Sequence, residues 1–192
     1  DEPDKYNLYL DGLKIYTTID SKMQANAEEA VNEHMTKLQA EFFHQNTPDR
    51  NKTAPFLDIT PEETKAIMER AMKNSDRWKI MKSEGKSEKE IRESFDKKTE
   101  MTVFDWKSPT KEKDTILTPR DSIRYYKAFL RTAMMSMEPQ TGHVKAWVGG
   151  INYKHFQYDN VIQGARQAGS TFKPFVYAAA IDQLRLSPCE TR

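Results

Sequence analysis

The chain has a single cysteine, Cys189, among 192 residues, so an internal disulfide bond is excluded. Cys189 has no histidine near it in sequence, which makes it a weak candidate for a catalytic nucleophile. Histidine is scarce as well, and its four copies show neither an HExxH pattern nor a paired Cys/His spacing. We therefore predict no metal site and no cofactor, and expect surface or hydrogen-bonding roles for His34, His44, His143 and His155.

Long apolar runs are absent too. No stretch approaches the roughly 18 apolar residues that a membrane-spanning helix needs. The first four residues are polar and acidic, unlike a signal peptide. Because the chain starts with Asp1 rather than Met, we expect it to be cut from a longer protein, and an upstream membrane segment is not excluded.

An excess of either charge is also lacking. The 30 basic and 29 acidic residues give a net charge of +1, which creates no field for nucleic acid or an anionic membrane. The apolar share is only 37% and the mean hydropathy is −0.84. The core must therefore be concentrated in parts of a chain long enough for one sizeable domain or two small ones.

Turning to what is present, residues 13–19 are rich in β-branched and aromatic side chains, which favours a strand. Asp20 or Ser21 then caps a long predicted helix, whose apolar residues recur at intervals of three and four. We interpret the glutamates on its other side as a solvated face rather than an acid/base pair. The apolar stripe consists of Met23, Ala27, Ala30, Val31, Met35, Leu38 and Phe42.

Residues 44–117 are dominated by charge, with 16 Lys and Arg against 15 Asp and Glu. Capping boxes at 60–63 and 87–90 each predict the start of a helix, the first ending near Asn74. Residues 101–106 have the composition of a strand. We expect a short-helix insertion packed loosely on the rest, and its balanced charge indicates no ligand.

A hairpin is predicted in the last third of the chain. A capping signature at 118–121 starts a helix that continues through Phe129. Residues 132–138 and 143–148 then alternate in polarity around the turn residues 139–142, which favours two antiparallel strands. Gly149-Gly150 ends the second strand, and a loop leads to Ser170.

Serine precedes lysine by three positions at four places in the chain. The first three copies lie in charged or turn-like surroundings, and we interpret them as solvated surface. Only the fourth, Ser170 with Lys173, follows a glycine and stands before an apolar run, residues 175–181, predicted to be a buried helix. The other three are Ser83 with Lys86, Ser94 with Lys97 and Ser108 with Lys111.

Ser170 and Lys173 are the candidate catalytic pair. Spacing of i and i+3 on a helix puts their Cβ atoms roughly 5–6 Å apart on one face. A serine hydroxyl needs a base within hydrogen-bond reach, and a lysine amine can be that base where burial and positive potential favour its neutral form. A helix N-terminus supplies positive potential and free N–H groups for an oxyanion. We predict Ser170 as nucleophile and Lys173 as general base; the alternative is a helix cap beside a surface lysine.

Pro174 adds a local irregularity to this motif. Because proline has no N–H, the Ser170 carbonyl loses its i+4 donor. A proline also disfavours helical backbone at the residue before it, here Lys173.

Three stretches together are more specific than the S-x-x-K motif. They are GLKIYTTID at 12–20, MEPQTGHVKAWVGG at 137–150 and ARQAGSTFKPFVY at 165–177. In this order they closely resemble the class A, or bifunctional, penicillin-binding proteins of the 1A type. Residues 45–98 match no motif of that family.

The resemblance implies an α+β fold, a truncated form of the penicillin-binding-protein and serine β-lactamase type. We expect an antiparallel sheet piece, built from the strand at 13–19 and the hairpin, with flanking helices. It also implies a linker and helical insertion region over 1–130 and the N-terminal part of a transpeptidase domain over 131–192.

The same resemblance implies a D,D-transpeptidase that cross-links peptidoglycan stem peptides through an acyl-serine intermediate. Ser170 would attack the carbonyl of the penultimate D-Ala, and the acyl group would pass to an amine of a neighbouring stem. β-Lactams would acylate Ser170 as mimics of D-Ala-D-Ala. The parent protein would be anchored at the periplasmic face of the cell membrane and carry a glycosyltransferase domain.

The sequence departs from the family pattern in one respect. The second and third family motifs, S-x-N and K-[TS]-G, occur nowhere in these residues. Residues 158–160 precede Ser170, so they cannot be the second motif in family order, and residues 140–142 belong to the hairpin turn. We therefore expect the isolated chain to lack activity, and expect its truncated sheet to promote self-association.

Two other functions stay open at this point. Residues 1–130 are also consistent with an interdomain linker or protein-interaction module of a cell-wall synthase. A β-lactamase or β-lactam sensor shares the S-x-x-K motif, although residues 17–20 and 138–142 favour the biosynthetic enzyme.

Overall fold

The computed structural model describes residues 6–7, 9–47, 49–185, 187 and 189, in two units, Asp1–Val161 and Ile162–Arg192. Its mixture of helices and antiparallel strands confirms the predicted α+β class. The first unit contains α1 (Ser21–Gln45), α2 (Pro61–Asn74), α3 (Asp76–Ser83), α4 (Glu88–Phe95), β1 (Thr99–Phe104), β2 (Glu112–Leu117), α5 (Pro119–Lys127), β3 (Met134–Met137) and β4 (Val144–Val148). The second contains a 3₁₀ turn (Gly169–Phe172) and α6 (Lys173–Leu184).

Helix α1 begins where its cap was predicted. The Asp20 carboxylate accepts the Met23 N–H at 2.9 Å. Farther along, Gln39 is only 1% exposed, yet its amide is satisfied at both ends. It donates to the Ala128 carbonyl at 3.0 Å and accepts the Leu130 N–H at 2.8 Å. This polar side chain therefore fixes α1 to the segment that follows α5.

The charged insertion, which we expected to pack loosely on the rest of the chain, has a buried core of its own. Both predicted capping boxes form, at Thr60 with Glu63 and at Ser87 with Glu90. They start α2 and α4, and the intervening α3 was not predicted. The few apolar residues of these helices meet in one buried cluster, because each helix turns its sparse apolar stripe inward. The cluster consists of Met72, Trp78, Ile91 and Phe95.

Two separate two-stranded antiparallel sheets form in the described part of the chain. The hairpin β3–β4 was predicted and is confirmed, with a register irregularity between Ser136 and Met137. The other sheet pairs β1 with β2, from Thr99 opposite Leu117 to Phe104 opposite Glu112. Strand β2 was not predicted, because its sequence, EKDTIL, has neither a regular alternation nor an apolar run.

The predicted strand at 13–19 does not form. This segment is exposed throughout, so no buried face fixes a strand register. Its end is nevertheless attached to β4, because the Thr18 hydroxyl donates to the Val144 carbonyl at 2.7 Å and the Asp20 N–H to the Lys145 carbonyl at 2.9 Å. The Gln24 amide continues this contact by pairing with both backbone groups of Trp147.

The main core of the larger unit lies around Phe104, whose side chain is fully buried. Its ring makes edge contacts with Trp106, Phe129 and Phe156 at centroid distances of 5.0 to 5.2 Å. These contacts join β1, the segment that follows α5 and the loop after β4, and Met35 adds α1. Ala27 of α1 packs separately against Ala146 and Val148 of β4.

Candidate functional site

Ser170 lies in the single 3₁₀ turn that precedes α6. Gly169 enters this turn at a φ of +55°, a backbone conformation that glycine adopts without strain. The Ser170 carbonyl accepts the N–H of Lys173, three residues on. Since Pro174 has no N–H to offer at i+4, the tighter i+3 bond satisfies this carbonyl instead. The sequence therefore correctly predicted that the Ser170 carbonyl has no i+4 donor. In the 3₁₀ turn the Lys173 N–H is its donor instead.

Lys173 departs from its expected backbone conformation. Its φ of −55° and ψ of −41° are helical, although a following proline disfavours that region. Pro174 stands in the first turn of α6, where its fixed φ and missing N–H are tolerated. The motif is thus continuous from the 3₁₀ turn into α6 despite Pro174.

Ser170 and Lys173 are both exposed. Among the described residues, no hydrogen bond joins the Ser170 hydroxyl to the Lys173 amine. The neighbouring Thr171 hydroxyl does have a partner, the Ala168 carbonyl at 2.5 Å, which also accepts the Thr171 N–H at 3.2 Å. The N–H groups of Thr171 and Lys173, at the start of the helix, are therefore bonded to backbone carbonyls and not free for an oxyanion.

Helix α6 has no buried residue among those described, so the prediction of a buried helix behind Ser170 was wrong for this structure. Its apolar side chains are open to solvent, with Phe175 69% and Tyr177 62% exposed. Phe172 and Phe175 contact each other at 5.5 Å between ring centroids. The sequence pattern correctly predicted that this segment is an apolar helix. Burial also requires another part of the protein to cover the helix.

The loop that follows β4 is held by the Gly149-Gly150 step, a role that the sequence did not reveal. A Cβ atom on Gly149 would lie 2.8 Å from the Asp159 carboxyl carbon, so a side chain there has no room. The Asp159 carboxylate accepts the Trp147 indole N–H and the Val161 N–H, each at 2.8 Å. Asn160 adds two hydrogen bonds to the Gly149 carbonyl, from its backbone and its side chain. The two consecutive glycines were the sequence feature from which this close packing could have been predicted.

Comparison with known proteins gives two adjacent matches. Residues 51–130 match the family model for the penicillin-binding protein middle domain, and residues 132–191 match the penicillin-binding protein transpeptidase domain. The chain belongs to the penicillin-binding proteins. Ser170 and Lys173 fall inside the transpeptidase match, and the helical insertion falls inside the middle-domain match.

Curated penicillin-binding proteins of the 1A type are similar to the chain over different lengths. Penicillin-binding protein 1A of Rickettsia bellii is 30% identical over 93% of this chain and 24% of its own length. Those of Pseudomonas aeruginosa and Neisseria flavescens are 42% and 46% identical over 27% of this chain and 6% of their own lengths. The chain thus spans at most about a quarter of these relatives. No solved structure matches it.

A polar cluster connects the middle-domain match to the start of the transpeptidase match. The His155 side chain is only 10% exposed. It contacts the Tyr126 hydroxyl at 3.0 Å through Nδ1 and the Glu112 carboxylate at 2.6 Å through Nε2. Lys154 also pairs with Glu112, at 2.7 Å. Hydrogen bonds from Lys154 first, and then from His155, hold the pKa of Glu112 below its usual value. The hydrogen-bonding role predicted for His155 is confirmed.

Other candidates from the sequence have simpler surroundings. His34, His44, His143 and the unpaired Cys189 are exposed. Within the described residues there is no cluster of histidine, cysteine and carboxylate side chains that could hold a metal ion. A helix long and apolar enough to cross a membrane is likewise absent from the described part of this penicillin-binding protein chain.

Proposed function

We propose that this chain contributes the nucleophile of a peptidoglycan D,D-transpeptidase. The observation that carries the proposal is the S-x-x-K pair, Ser170 and Lys173, at a helix start inside the region that matches the transpeptidase domain. Ser170 is the nucleophile and Lys173 is the general base. We also propose the division that the sequence suggested, with a linker and helical insertion over 1–130 and transpeptidase residues from 131 onward.

The reaction proceeds through an acyl-serine intermediate. The Lys173 amine takes the hydroxyl proton as Ser170 Oγ attacks the carbonyl of the penultimate D-Ala. The peptide bond to the terminal D-Ala breaks, and this leaving amine receives the proton. An amine of a neighbouring stem then attacks the ester carbonyl and gives a proton to Lys173. The amide cross-link forms as the ester bond to Ser170 Oγ breaks, and Lys173 returns the proton to Oγ. A β-lactam acylates Ser170 in the same way, at the periplasmic face of a membrane-anchored parent protein.

Release of D-alanine from a D-Ala-D-Ala stem peptide tests this assignment in the protein produced from its full coding sequence. Ser170→Ala should abolish release, and Lys173→Ala should slow it by a factor on the order of 10² to 10⁴, the usual contribution of a general base. Ser83→Ala removes the serine of another S-x-x-K copy and should leave the rate unchanged. Equal rates for Ser170→Ala and the unmodified protein would refute the proposal.

The 192-residue chain on its own should acylate slowly or not at all. Both catalytic side chains are solvent-exposed, and α6 contributes no buried residue that would shield a lysine amine from water. Desolvation is one of the effects that keep such an amine neutral. Acylation of the isolated chain as fast as that of the full-length protein would contradict this expectation.

We propose further that the 192-residue chain self-associates. Exposed apolar residues lie on α6 and on strand β3, where Met134, Met135 and Met137 are between 41% and 50% exposed. Contiguous apolar surface and open strand edges favour association. Sedimentation velocity should show the apparent mass rising with concentration. A monomer that persists at the highest attainable concentration would contradict this.

A second candidate function concerns residues 1–130 as a linker and interaction module of a cell-wall synthase. The middle-domain match at 51–130 favours it, and Ile80 and Ile116 supply exposed apolar side chains there. Replacing both isoleucines with serine should lower peptidoglycan cross-linking in cells while penicillin still labels Ser170. Unchanged cross-linking would count against this module.

A further inference from the structure

A cleft with a volume of about 420 Å³ lies between α2, α4 and α5, within the larger unit. Four cationic side chains from the three helices line it, against two carboxylates. The whole chain has a net charge of only +1, so this local excess of two positive charges is not a general property of its surface. The charged residues of the lining are Lys65, Glu69, Arg92, Arg120, Asp121 and Arg124.

Two of the four cations are neutralised by carboxylates. Both terminal nitrogens of Arg92 donate to the two carboxylate oxygens of Glu69, one of them at 2.8 Å. Arg120 donates through Nε at 2.7 Å to Asp96, a residue that lies outside the cleft lining. The hydrogen bond to Asp96 raises the pKa of Arg120, and the nearby charge of Arg92 opposes that rise.

The other two cations, Lys65 and Arg124, have no ion-pair partner in the described part of the chain. Glu69, one helical turn from Lys65, turns instead to Arg92 and to Lys73. Asp121, the second carboxylate of the lining, accepts the hydroxyl of the helix cap Thr118 at 2.6 Å. Three ion-pair partners lie outside the lining: Asp96 with Arg120, Glu88 with Arg92, and Lys73 with Glu69. When these two carboxylates and one cation are counted as well, the cleft retains one uncompensated positive charge.

Arg124 is oriented by backbone carbonyls rather than by a carboxylate. Its Nε and Nη2 atoms donate to the carbonyls of Thr53 and Ala54, at distances of 2.9 to 3.3 Å. Arg120 likewise uses Nε and Nη2, both on Asp96. A guanidinium has five N–H donors. Each of these arginines therefore keeps Nη1 available while its position is already fixed, as ligand recognition requires.

Arg120 and Arg124 also stand four residues apart on α5, so their like charges face each other on one side of the helix. We propose that this cleft is a binding site for an anionic group with several phosphate or carboxylate oxygens. Guanidinium groups recognise both kinds of oxyanion by paired N–H donors, and Lys65 adds a point charge. Acylation of Ser170 plays no part in it.

Isothermal titration of the 192-residue chain at low ionic strength tests the site, with pyrophosphate in one arm and citrate in the other. Saturable binding of either probe is expected. The double variant Lys65→Gln/Arg124→Gln keeps both ion pairs of the cleft and should bind about tenfold more weakly or worse, as loss of two charge-assisted contacts implies. Binding of pyrophosphate alone would assign a phosphate ligand, and binding of citrate alone a carboxylate ligand.

A matched control separates a site from nonspecific attraction. Lys82→Gln/Lys89→Gln removes the same charge from exposed residues of α3 and α4 outside the cleft lining, and should keep the affinity within about twofold. Lys65→Gln alone leaves the carbonyl contacts of Arg124 intact, and should weaken binding with an unchanged melting temperature. The absence of saturable binding in both arms, or an equal loss in the control, would overturn the proposal.

Discussion

Gly149 is the position where the structure most clearly requires glycine. The Asp159 carboxylate occupies the space of a Cβ atom, and its hydrogen bonds to Trp147 and Val161 prevent it from moving away. Gly149→Ala should therefore lower the free energy of unfolding by about 1–3 kcal/mol, the usual cost of overpacking. Urea denaturation measures this loss. Gly150→Ala, whose Cβ would approach nothing closer than 3.4 Å, should cost less; an equal loss would contradict the account.

Pro174 shows which features of the candidate site could be predicted from single residues and which could not. The loss of an i+4 donor for the Ser170 carbonyl follows from proline chemistry alone, and it was predicted. The conformation of Lys173 was not, because the position of Pro174 within the first turn of α6 depends on where that helix begins. Local rules identify what a residue cannot do, whereas helix boundaries decide which alternative it adopts.

Helices with clear caps were the elements that the sequence predicted best. Asp20, Thr60, Ser87 and Thr118 each accept the backbone N–H three residues on, as their patterns indicated. The capping box is short enough to be read without knowledge of the tertiary structure. The hairpin β3–β4 was predictable for a similar reason, since its turn residues and alternation lie within one short stretch.

Ser87 allows this capping argument to be tested. Its hydroxyl accepts the Glu90 N–H at 3.3 Å, and the Glu90 carboxylate accepts the Ser87 N–H at 2.9 Å. Ser87→Ala should lower the free energy of unfolding by about 1 kcal/mol, a typical cost for a lost cap. Ser83→Ala, at the exposed end of α3, is the control and should have a smaller effect in the same urea titration. Equal losses would show that the cap of α4 contributes little.

Elements that depend on distant partners were the ones missed. Strand β2 forms because it pairs with β1 along six residue pairs. Its charged sequence contains no pattern that predicts this pairing. The segment at 13–19 has strand composition, but only its end is bonded to β4. For α6 the apolar pattern was clear, although none of its residues is buried. Composition predicts a preference, and pairing or covering surface decides the outcome.

In the larger unit as a whole, Glu112 links strand β2 to the loop after β4 through Lys154 and His155. Its pKa is lower in the folded chain than the ordinary 4.5, so its contribution to stability is present above that value. This contribution should be lost as the pH falls through the lowered pKa. Urea unfolding at about pH 7 and about pH 3 should show a smaller acid-induced loss for Glu112→Gln than for the unmodified chain.

Other carboxylates with lowered pKa values, including Glu69 and Asp96, will keep some acid sensitivity in that variant. Glu100→Gln is the matched control, since Glu100 is exposed on β1 and belongs to no ion pair in the described part of the chain. It should behave like the unmodified protein. Equal pH dependence of Glu112→Gln and Glu100→Gln would contradict the role of Glu112.

The assignment of Ser170 as an acylated nucleophile is tested most directly by labelling. The protein produced from its full coding sequence is incubated with fluorescent penicillin, and the modified residue is identified by peptide mass spectrometry. The account predicts one label, on Ser170, that is lost in Ser170→Ala and retained in Ser83→Ala. A label on any other residue, or a folded protein that takes up none, would contradict it.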